Sequence, residues 1–400
     1  MRNPFPFRTL DALPGVEGRR VLVRVDFNVP VDDDGRITDD TRIRGVLDTL
    51  SDLRRRGAAL ILMSHRGRPK GWGEASMEVV VPRLSERLET DVAFVDDLVG
   101  EQAVRASQRL RPAEVLLLQN LRYDPGEKGA DPAFARKLAA LGDLYVNDAF
   151  GTAHRKDASV ALVPSLIPGY AGRLMERELS ALSELLHHAE RPYWAVVGGS
   201  KVSDKVELLD ALLDRVDGLV VGGGMANTFL VAQEKDMGAS KVEAEAVDTA
   251  KKLLEKAAAR DIPVVLPSRV TAAKGFSKDA SYRAIAPGQL ESDEMALDVS
   301  EEAVEEMLNA LSGAKSVLWN GPMGVFEWEP FAEGTLRMAR GLAKLNGRVV
   351  VGGGDSVAAC RLAGVTEKLW HVSTGGGATL EFLQGKALPG VEALINSVKG

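Results

Sequence analysis

Charged and amide side chains follow the carboxyl ends of predicted strands in the first half of the chain. The residues concerned are Asp26, Asn28, Arg42, His65, Arg68, Arg122 and Arg155. A guanidinium group is a planar fork of donors that matches phosphate and carboxylate oxygens. A single arginine is more often a solvated surface residue. Four arginines at or near successive strand ends of one sheet instead predict a pocket for a small, multiply charged anion.

Four glycine-rich turns follow predicted strands in the second half. They are Gly198–Lys205, Gly222–Met225, Gly352–Ser356 and Thr374–Ala378. Glycine lets backbone N–H groups approach a ligand, and a helix N-terminus favours negative charge. One such cluster alone is typical of a tight turn. Four at one sheet edge predict a site for a nucleotide and its phosphates. The chain has no G-x-x-x-x-G-K-[ST] motif, which excludes a P-loop enzyme.

Charged residues accompany these turns. Lys201 and Lys205 are four residues apart, a spacing that predicts one shared helix face directed at phosphate. Asp355 stands at a predicted helix start and is the candidate Mg²⁺ ligand, because magnesium typically takes one or two carboxylates plus phosphate oxygens. The turn Trp319–Glu327 collects an asparagine, two glycines, a proline and a glutamate just after a strand. That density of special residues predicts a turn shaped around a ligand.

Bulk composition restricts the classes of protein to consider. The 400 residues favour two or three domains, and the net charge of −7 argues against a general binder of nucleic acid or anionic membranes. The single cysteine excludes an internal disulfide framework and a cysteine zinc cluster, and it fits a reducing compartment. The first residues lack the apolar region of a signal peptide, and no apolar run approaches the ~20 residues of a membrane span. We therefore expect a cytoplasmic protein.

Short apolar runs alternate with amphipathic segments, which predicts βαβ units and parallel sheets covered by helices on both faces. The predicted strands are Val21–Val25, Ala59–Met63, Val92–Val95, Val115–Leu118, Leu144–Val146, Trp194–Val197, Gly218–Val221, Pro263–Leu266, Ser316–Trp319, Arg348–Val351 and Leu369–Ser373. The fold class expected is α/β, with two Rossmann-like three-layer domains joined by a long helix and a hinge. The predicted boundaries are 1–171 for the first domain, 172–190 for the connecting helix, 191–385 for the second domain and 386–400 for a tail.

Nine motifs in order make the chain resemble the phosphoglycerate kinases. They are VRVDFNVP at Val23, HRGRP at His65, NLRY at Asn120, NDAFGTAHR at Asn147, GGSKVSDK at Gly198, GGGMANTF at Gly222, WNGPMGVFE at Trp319, GGGDS at Gly352 and STGGGATLEF at Ser373. The resemblance implies that the first domain binds 3-phosphoglycerate or 1,3-bisphosphoglycerate and the second binds Mg-ADP or Mg-ATP. It also implies a monomer whose C-terminal tail returns to the first domain.

The resemblance further implies roles for single residues. The seven strand-end residues of the first half look like the phosphoglycerate site, with Arg42 as the catalytic arginine. Lys201 and Lys205 look like the lysines on the moving phosphoryl group and the nucleotide phosphates, Glu327 like the ribose ligand and Asp355 like the Mg²⁺ ligand. The remaining nucleotide-side and catalytic positions implied are Gly198, Gly223, Asn320, Gly353, Gly354, Ser356, Gly375 and Gly376.

Several positions depart from the family's usual pattern. Arg66 stands where leucine is usual, Gln119 and Tyr123 where glutamate and phenylalanine are usual, and Asp157 where a second histidine is common. Arg66 is expected to add a charge near the substrate loop. The segment Ala296–Glu301 replaces a usual G-L-D-I-G-P, which concerns the wall on the base side of the nucleotide.

The implied reaction is phosphoryl transfer between an acyl phosphate and ADP. The acceptor is already ionised in either direction, so no general base is needed, and catalysis depends on positioning and charge neutralisation. The two sites lie on different predicted domains, so domain closure is expected. One alternative is a dinucleotide-dependent dehydrogenase, which the missing G-x-G-x-x-G fingerprint disfavours. Another is a nucleotide-binding scaffold, which would not need Arg42, Lys201, Lys205 and Asp355.

Overall fold

The computed structural model describes residues 5–397, and the chain divides into two compact units. Unit 1 comprises Met1–Ser180 and Ala387–Gly400, and unit 2 comprises Ala181–Lys386. Residues 1–4 of the predicted first domain and 398–400 of the predicted tail lie outside the described residues.

Fifteen strands occur in the described part of the chain. They are β1 Arg20–Arg24, β2 Ala59–Met63, β3 Val92–Val95, β4 Val115–Leu118, β5 Leu144–Asn147, β6 Gly169–Ala171, β7 Tyr193–Val197, β8 Gly218–Val221, β9 Val264–Val265, β10 Val270–Lys274, β11 Tyr282–Ile285, β12 Glu294–Val299, β13 Ser316–Asn320, β14 Arg348–Gly352 and β15 His371–Val372. In unit 1 they form a six-stranded sheet of order β3-β4-β2-β1-β5-β6, in which every pairing is parallel. Unit 2 has a second parallel six-stranded sheet of order β15-β14-β13-β7-β8-β9.

The α-helices of the described residues connect these strands. They are α1 Thr41–Gly45, α2 Leu47–Arg55, α3 Val81–Leu88, α4 Glu101–Arg109, α5 Pro125–Lys128, α6 Pro132–Ala139, α7 Arg173–His187, α8 Val206–Leu213, α9 Gly223–Ala232, α10 Val247–Ala258, α11 Glu301–Ala310, α12 Glu333–Leu342, α13 Gly354–Leu362, α14 Gly377–Leu383 and α15 Pro389–Asn396. Short 3₁₀ turns lie at Leu10–Ala12, Met77–Val80, Leu121–Tyr123, Phe150–Thr152, Val163–Ser165, Ala244–Ala246, Glu329–Phe331 and Thr366–Lys368, and a π turn at Ala158–Leu162. None of the helices within residues 5–397 is both long and apolar enough to cross a bilayer.

The two parallel sheets confirm the predicted fold class, and their composition explains them. All five residues of β2 and all four of β4 are buried. Strands buried on both faces consist of apolar residues such as leucine, isoleucine and valine, which is why the runs could be identified. The edge strands of the unit 2 sheet, β9 and β15, have two residues each. They are shorter than the predicted runs Pro263–Leu266 and Leu369–Ser373.

Unit 2 also contains a three-stranded antiparallel sheet of order β11-β10-β12, which the sequence analysis did not predict. Its strands mix charged and polar residues with apolar ones, and three of the four residues of β11 are exposed. An exposed, mixed strand lacks the apolar run that identifies a buried parallel strand.

The C-terminal residues pack within unit 1. The N–H of Gly390, in α15, donates to the carbonyl oxygen of Ala153 at 2.8 Å. The Oγ of Ser397 accepts a hydrogen bond from the N–H of Gly169 at 3.1 Å. A side chain at Gly390 would lie 2.8 Å from the Cγ1 of Val160, so α15 approaches its neighbours closely at that point. Both ends of the chain therefore contribute to unit 1.

Candidate active site

Arg42 and Asp26 form an ion pair at the end of β1. The Nη1 of Arg42, on α1, lies 2.5 Å from the Oδ2 of Asp26, and the arginine side chain is 37% exposed. Burial raises the pKa of Asp26, but the positive charges of Arg42 and Arg24, together with a hydrogen bond from the N–H of Asn28, outweigh burial and hold that pKa below its ordinary value. Asp26 is therefore an anion that orients Arg42 toward the open side of the site.

Asn28 and Arg122 hold the loop that carries Arg68. The Oδ1 of Asn28 accepts from the N–H of Gly67 at 2.8 Å, and Arg122 donates to the carbonyl oxygen of Gly67 at 2.5 Å. Arg68 itself is exposed one residue further along. Asn28 and Arg122, two predicted substrate residues, thus also fix the backbone beside Arg68, which is a third.

His65 lies between two guanidinium groups. Its Nδ1 is 3.1 Å from the Nη2 of Arg24, and its Nε2 is 3.3 Å from the Nη1 of Arg155. Burial, followed by the charge of Arg24, lowers the pKa of His65 well below its ordinary value. The ring is consequently neutral at pH 7, and its nitrogens act by hydrogen bonding rather than by charge.

Positive charge is concentrated at this edge of the unit 1 sheet. The pKa of Arg122 is lowered by burial and then by the neighbouring charges of Arg155, Arg24 and Arg68, while the charge of Asp157 opposes this shift. Like charges that lower the pKa of one arginine lie close enough to it to share one counter-ion. The structure therefore brings Arg68, Arg122 and Arg155 together with His65 into a region that favours a multiply charged anion.

Tyr123 and Asn120 anchor the loop after β2. The hydroxyl of Tyr123 donates to the carbonyl oxygen of Glu74 at 2.7 Å and accepts from the N–H of Gly73 at 3.1 Å. The Nδ2 of Asn120 donates to the carbonyl oxygens of Arg66 and Ala75, at 2.7 and 2.9 Å. The loop that carries Arg68 is thus tied at both ends to the turn after β4.

Arg66 and Gln119 also serve this loop. The Nε of Arg66 donates to the carbonyl oxygen of Ser76 at 3.1 Å, so this extra charge braces the loop. The Oε1 of Gln119 accepts from the N–H of Met77 at 2.9 Å, and its Nε2 donates to Asp96 at 2.7 Å. These departures from the usual family pattern have structural partners in this chain.

Unit 2 contains a cavity of about 560 Å³ beside the glycine-rich turns. Its lining includes Gly199, Gly223, Glu327 and Asp355 from the predicted nucleotide site. An apolar wall faces them, formed by Val270, Phe276, Met295, Leu297 and Val325. A mostly apolar cleft of this size with a few polar groups is typical of a small-molecule site. The wall contains part of the altered segment Ala296–Glu301, which supplies Ala296, Leu297, Asp298 and Val299 to the lining.

Lys201 and Lys205 do not share a helix face, so that prediction is wrong. Helix α8 begins at Val206, and both lysines precede it. The Nζ of Lys205 instead turns back and donates to the carbonyl oxygens of Gly198 at 2.7 Å and Asn320 at 3.1 Å. Burial lowers the pKa of Lys205 to about 8, against the opposing charges of Asp355 and Asp204. Lys201 is exposed on the loop and is not part of the cavity lining.

The turn before α13 requires glycine. Gly353 has a φ of +89°, and a side chain there would lie 3.0 Å from the Nδ2 of Asn320. That Nδ2 is buried and has no hydrogen-bond acceptor among the described residues. A buried donor without a partner is costly, so its position beside the helix start suits an anionic ligand atom.

Ser356, Gly375 and Gly376 occupy less direct positions. Ser356 is fully buried, and its Oγ accepts from the N–H of Gly321 at 2.6 Å, which holds the turn after β13. Gly375 donates its N–H to the Oγ of Ser373 at 3.1 Å. Gly376, with a φ of +49°, directly precedes α14. Neither Gly375 nor Gly376 belongs to the cavity lining.

Asp355 fits a magnesium ion that is held partly by phosphate. Its carboxylate is exposed in the first turn of α13 and lines the cavity. Within residues 5–397 no group of three His, Cys, Asp or Glu side chains is arranged to hold a metal by itself. Magnesium commonly takes only one or two protein carboxylates and completes its shell with water and phosphate oxygens. The donor set therefore fits Mg²⁺ bound together with a nucleotide.

The sequence analysis missed three buried polar residues behind the cationic edge. Arg24, Glu127 and Ser159 are fully buried. The Nε of Arg24 donates to the Oγ of Ser159 at 2.8 Å, and that hydroxyl donates to Glu127 at 2.6 Å. One signal was available: Arg24 is a charged residue inside the otherwise apolar predicted strand Val21–Val25, and a buried charge needs a partner.

Comparison with known proteins identifies one family. The family model described as Phosphoglycerate kinase matches residues 10–386. Relatives with that name from Roseiflexus sp. (strain RS-1) and Moorella thermoacetica are each 50% identical over 381 residues. The alignments cover 94% of this chain and 96% of the first, and 95% of this chain and 97% of the second.

Solved structures of the same name have the same fold. The phosphoglycerate kinase of Coxiella burnetii superposes with a TM-score of 0.88 at 38% identity. That of Pyrococcus horikoshii OT3 superposes with a TM-score of 0.86 at 31% identity. Each comparison covers 98% of this chain and 99% of the other.

Proposed function

The chain belongs to the phosphoglycerate kinase family, and we propose how its residues carry out that family's reaction. The reaction is the reversible transfer of a phosphoryl group between 1,3-bisphosphoglycerate and ADP, giving 3-phosphoglycerate and ATP, a step of glycolysis and gluconeogenesis. The chain is thus a phosphotransferase with a carboxyl group as acceptor. The assignment of residues and domains to the two substrates is the proposal.

Unit 1 is proposed to bind the phosphoglycerate through the cationic edge of its sheet. The observation that carries this assignment is the crowding of Arg155, Arg24 and Arg68 around Arg122, whose pKa their charges lower. A phosphate dianion relieves that crowding with charge-assisted hydrogen bonds. Asp26, Asn28 and His65 then orient the glycerate portion, and Arg42 neutralises charge on the transferring group.

Unit 2 is proposed to bind ADP or ATP in its cavity. The apolar wall receives the base, the exposed Glu327 faces the ribose, and the turns at Gly198, Gly223, Gly353 and Gly354 approach the phosphates. Lys201, Gly375 and Gly376 are assigned to the moving phosphoryl group, and Lys205, Asn320 and Ser356 to the nucleotide's phosphate side. Lys205 does this while bonded to two backbone carbonyls, which fixes the turn that carries Lys201.

Mg²⁺ is proposed as the cofactor, held by Asp355 together with nucleotide phosphate oxygens. When bound, the ion neutralises phosphate charge. The protein contributes positioned cations and excludes water, and no side chain has to remove a proton because the acceptor oxygen is already ionised.

The proposal keeps the domain division made from the sequence, with 1–171 for phosphoglycerate, 172–190 as connecting helix, 191–385 for nucleotide and 386–400 as returning tail. Direct transfer requires both substrates to meet, so the proposal includes closure of the domains. We also propose a cytoplasmic monomer that takes only small-molecule substrates. Light scattering coupled to gel filtration tests the monomer, and a dimer would contradict it.

Turnover of ATP with 3-phosphoglycerate and Mg²⁺ tests the function, followed as NADH oxidation by glyceraldehyde-3-phosphate dehydrogenase. Activity that disappears in Lys201→Ala would support both the reaction and the lysine's role. Binding of ATP by calorimetry without turnover would favour a nucleotide-binding scaffold. Binding of a nicotinamide dinucleotide would favour the dehydrogenase alternative.

A further inference from the structure

A buried chain of hydrogen bonds runs behind His65 in unit 1. The Oγ and the N–H of Ser159 both bond to the carboxylate of Glu127, at 2.6 and 3.0 Å. The Nε of Arg24 bonds to the same Oγ at 2.8 Å, and its Nη2 lies 3.1 Å from the Nδ1 of His65. All four residues are at most 1% exposed. These hydrogen bonds connect the carboxylate of Glu127, on α5, to the imidazole of His65 at the proposed anion site.

The direction of each bond follows from what the groups can donate. A guanidinium has five N–H donors and no acceptor, so Ser159 must accept from Arg24. The single hydroxyl proton of Ser159 is then directed to the Oε1 of Glu127. Burial raises the pKa of Glu127, while the charge of Arg24 and the two bonds from Ser159 favour its ionised form. Glu127 is in this way linked to the buried charge of Arg24 through one hydroxyl. Arg24 in turn can bond the Nδ1 of His65 only if that nitrogen carries no proton.

Arg155 lies on the other side of the ring, and a hydrogen bond from it would require the opposite tautomer. Its Nη1 lies 3.3 Å from the Nε2 of His65, and it too can only donate. A neutral imidazole has one N–H and one bare nitrogen, so the ring satisfies one of the two guanidinium groups. Arg24 is fully buried and is also bonded to Ser159 and to the carbonyl oxygen of Val25. Arg155 is half-buried, and its contact is longer. Arg24, the more rigid partner, therefore determines the tautomer of His65: Nδ1 accepts a hydrogen bond and Nε2 carries the proton.

We propose that Glu127 and Ser159 are positioning residues of the phosphoglycerate site, which hold His65 through Arg24 in the tautomer with its proton on Nε2. The Nε2–H and the Nη1–H of Arg155 then face each other as two donors. One oxygen of the substrate anion accepts from both, which turns an unfavourable contact between donors into a bifurcated site. This inference rests on the proposed assignment of His65 and Arg155 to the substrate.

The tautomer can be read directly in the unmodified enzyme. The ¹⁵N shifts and two-bond couplings of imidazole distinguish a bare from a protonated nitrogen, and a His65→Gln variant identifies the His65 signals among those of the five histidines. At pH 7 we expect a neutral His65 with bare Nδ1 and protonated Nε2. A ring with its proton on Nδ1, or one protonated on both nitrogens, would overturn the proposal whatever the variants do.

Variants then test whether the buried hydrogen bonds from Glu127 through Ser159 and Arg24 to His65, called the relay below, matter for binding of 3-phosphoglycerate. In Ser159→Ala and Glu127→Gln we expect a mixture of tautomers and a rise in the dissociation constant of 3-phosphoglycerate by roughly fivefold, the loss of about one hydrogen bond. The dissociation constant of ATP should not change. Ser107→Ala is the matched control: Ser107 is a buried serine of unit 1 whose hydroxyl donates within α4, to the carbonyl oxygen of Val104.

Calorimetry distinguishes a failure of the positioning role from a failure of the proposed function. If both relay variants bind 3-phosphoglycerate as tightly as the control, the positioning role is wrong even though the tautomer is as stated. If the unmodified enzyme does not bind 3-phosphoglycerate, the proposed function fails, and the proposal that depends on it fails too, whatever the NMR shows. Weakened binding with a shifted tautomer in both variants would establish the relay.

Discussion

The Nη1 of Arg42 lies 2.5 Å from the Oδ2 of Asp26, so two residues assigned to the same substrate are paired with one another. The pairing keeps the pKa of Asp26 below its ordinary value despite burial. A carboxyl whose pKa is lower in the folded state stabilises the fold above its unfolded pKa, and that contribution is lost as the pH falls through its folded pKa.

For Asp26→Asn we therefore expect a lower free energy of unfolding than the unmodified protein at pH 7. The difference should shrink as the pH falls below about 4, where the carboxyl of the unfolded chain takes up a proton, and it should vanish once the folded carboxyl is neutral as well. Urea unfolding of both proteins at a series of pH values measures it. If the difference in the free energy of unfolding stays constant with pH, the ion pair of Asp26 with Arg42 is not its cause.

Lys201 and Lys205 should respond differently to truncation. Because Lys201 is exposed, we expect Lys201→Ala to lower kcat by about a hundredfold or more while the melting temperature stays unchanged. Its effect on 3-phosphoglycerate binding should be small; equal losses in kcat and in binding would contradict its assignment to the moving phosphoryl group.

Lys205→Ala should in addition destabilise unit 2. It removes the charged donor from the carbonyl oxygens of Gly198 and Asn320, at a cost of about 1–3 kcal/mol, although the oxygen of Asn320 still accepts from the N–H of Gly198. Thermal unfolding with and without ATP compares the two variants. A melting temperature equal to that of Lys201→Ala would show that the carbonyl contacts contribute little.

Arg68 should act mainly on substrate binding. In Arg68→Ala we expect the KM for 3-phosphoglycerate to rise about tenfold or more, since a charge-assisted hydrogen bond is worth about 1.5–3 kcal/mol. Steady-state kinetics with 3-phosphoglycerate as the varied substrate measures it. Lys70→Ala is the control, because Lys70 is an exposed cation two residues away in the same loop. An unchanged KM with a collapsed kcat in Arg68→Ala would contradict the assignment.

Tyr123 should position the same loop without touching substrate. Tyr123→Phe removes the bonds to Gly73 and Glu74, and we expect a rise of about fivefold in the KM for 3-phosphoglycerate with little change in kcat. The ring of Trp72 lies 4.6 Å from that of Tyr123, so its emission should report the altered loop. A Trp72→Phe variant isolates that signal. Unchanged emission and KM would exclude the positioning role.

Asp298 should make the stability of unit 2 depend on pH. Burial raises the pKa of Asp298 to about 8, so the folded state keeps a proton that the unfolded chain loses above about pH 4. The unfolded state then binds fewer protons, and stability falls as the pH rises from about 4 to about 8. Asp298→Asn resembles the protonated carboxyl and can still accept from the N–H of Gly334, which lies 2.7 Å from Oδ2.

Chemical unfolding across that pH range compares Asp298→Asn with the unmodified protein. We expect the variant to become relatively more stable as the pH rises, by an amount on the order of several kcal/mol. The same pH dependence in both proteins would show that Asp298 is not the titrating group.

The sequence predicted the parallel sheets better than the antiparallel one. Strands such as β2 and β14 are buried on both faces, so they consist of apolar runs that local composition reveals. Strand β11 is largely exposed, and its residues Tyr282 and Arg283 resemble those of a surface loop. Its pairing with β10 depends on contacts that local patterns do not encode.

Site residues at strand ends could be predicted because parallel topology gathers those ends at one edge. Their buried partners could not. Glu127 lies 103 positions from Arg24 in the sequence, on a short polar turn, and only the packed structure links them through Ser159. The start of α8 was misplaced for a similar reason: the amine of Lys205 bonds back to Gly198 and stabilises a loop where spacing alone suggested a helix.

Because both ends of the chain contribute to unit 1, the order of synthesis has a consequence. Residues 181–386 form one continuous stretch, so every segment of unit 2 is synthesised before residue 387. Helix α15, whose Gly390 bonds to Ala153, becomes available only afterwards. Unit 1, which is proposed to bind phosphoglycerate, therefore lacks α15 until all of unit 2 has been synthesised. A chain that ended at residue 386 would retain every residue of unit 2, the proposed nucleotide-binding half, but would leave unit 1 without α15.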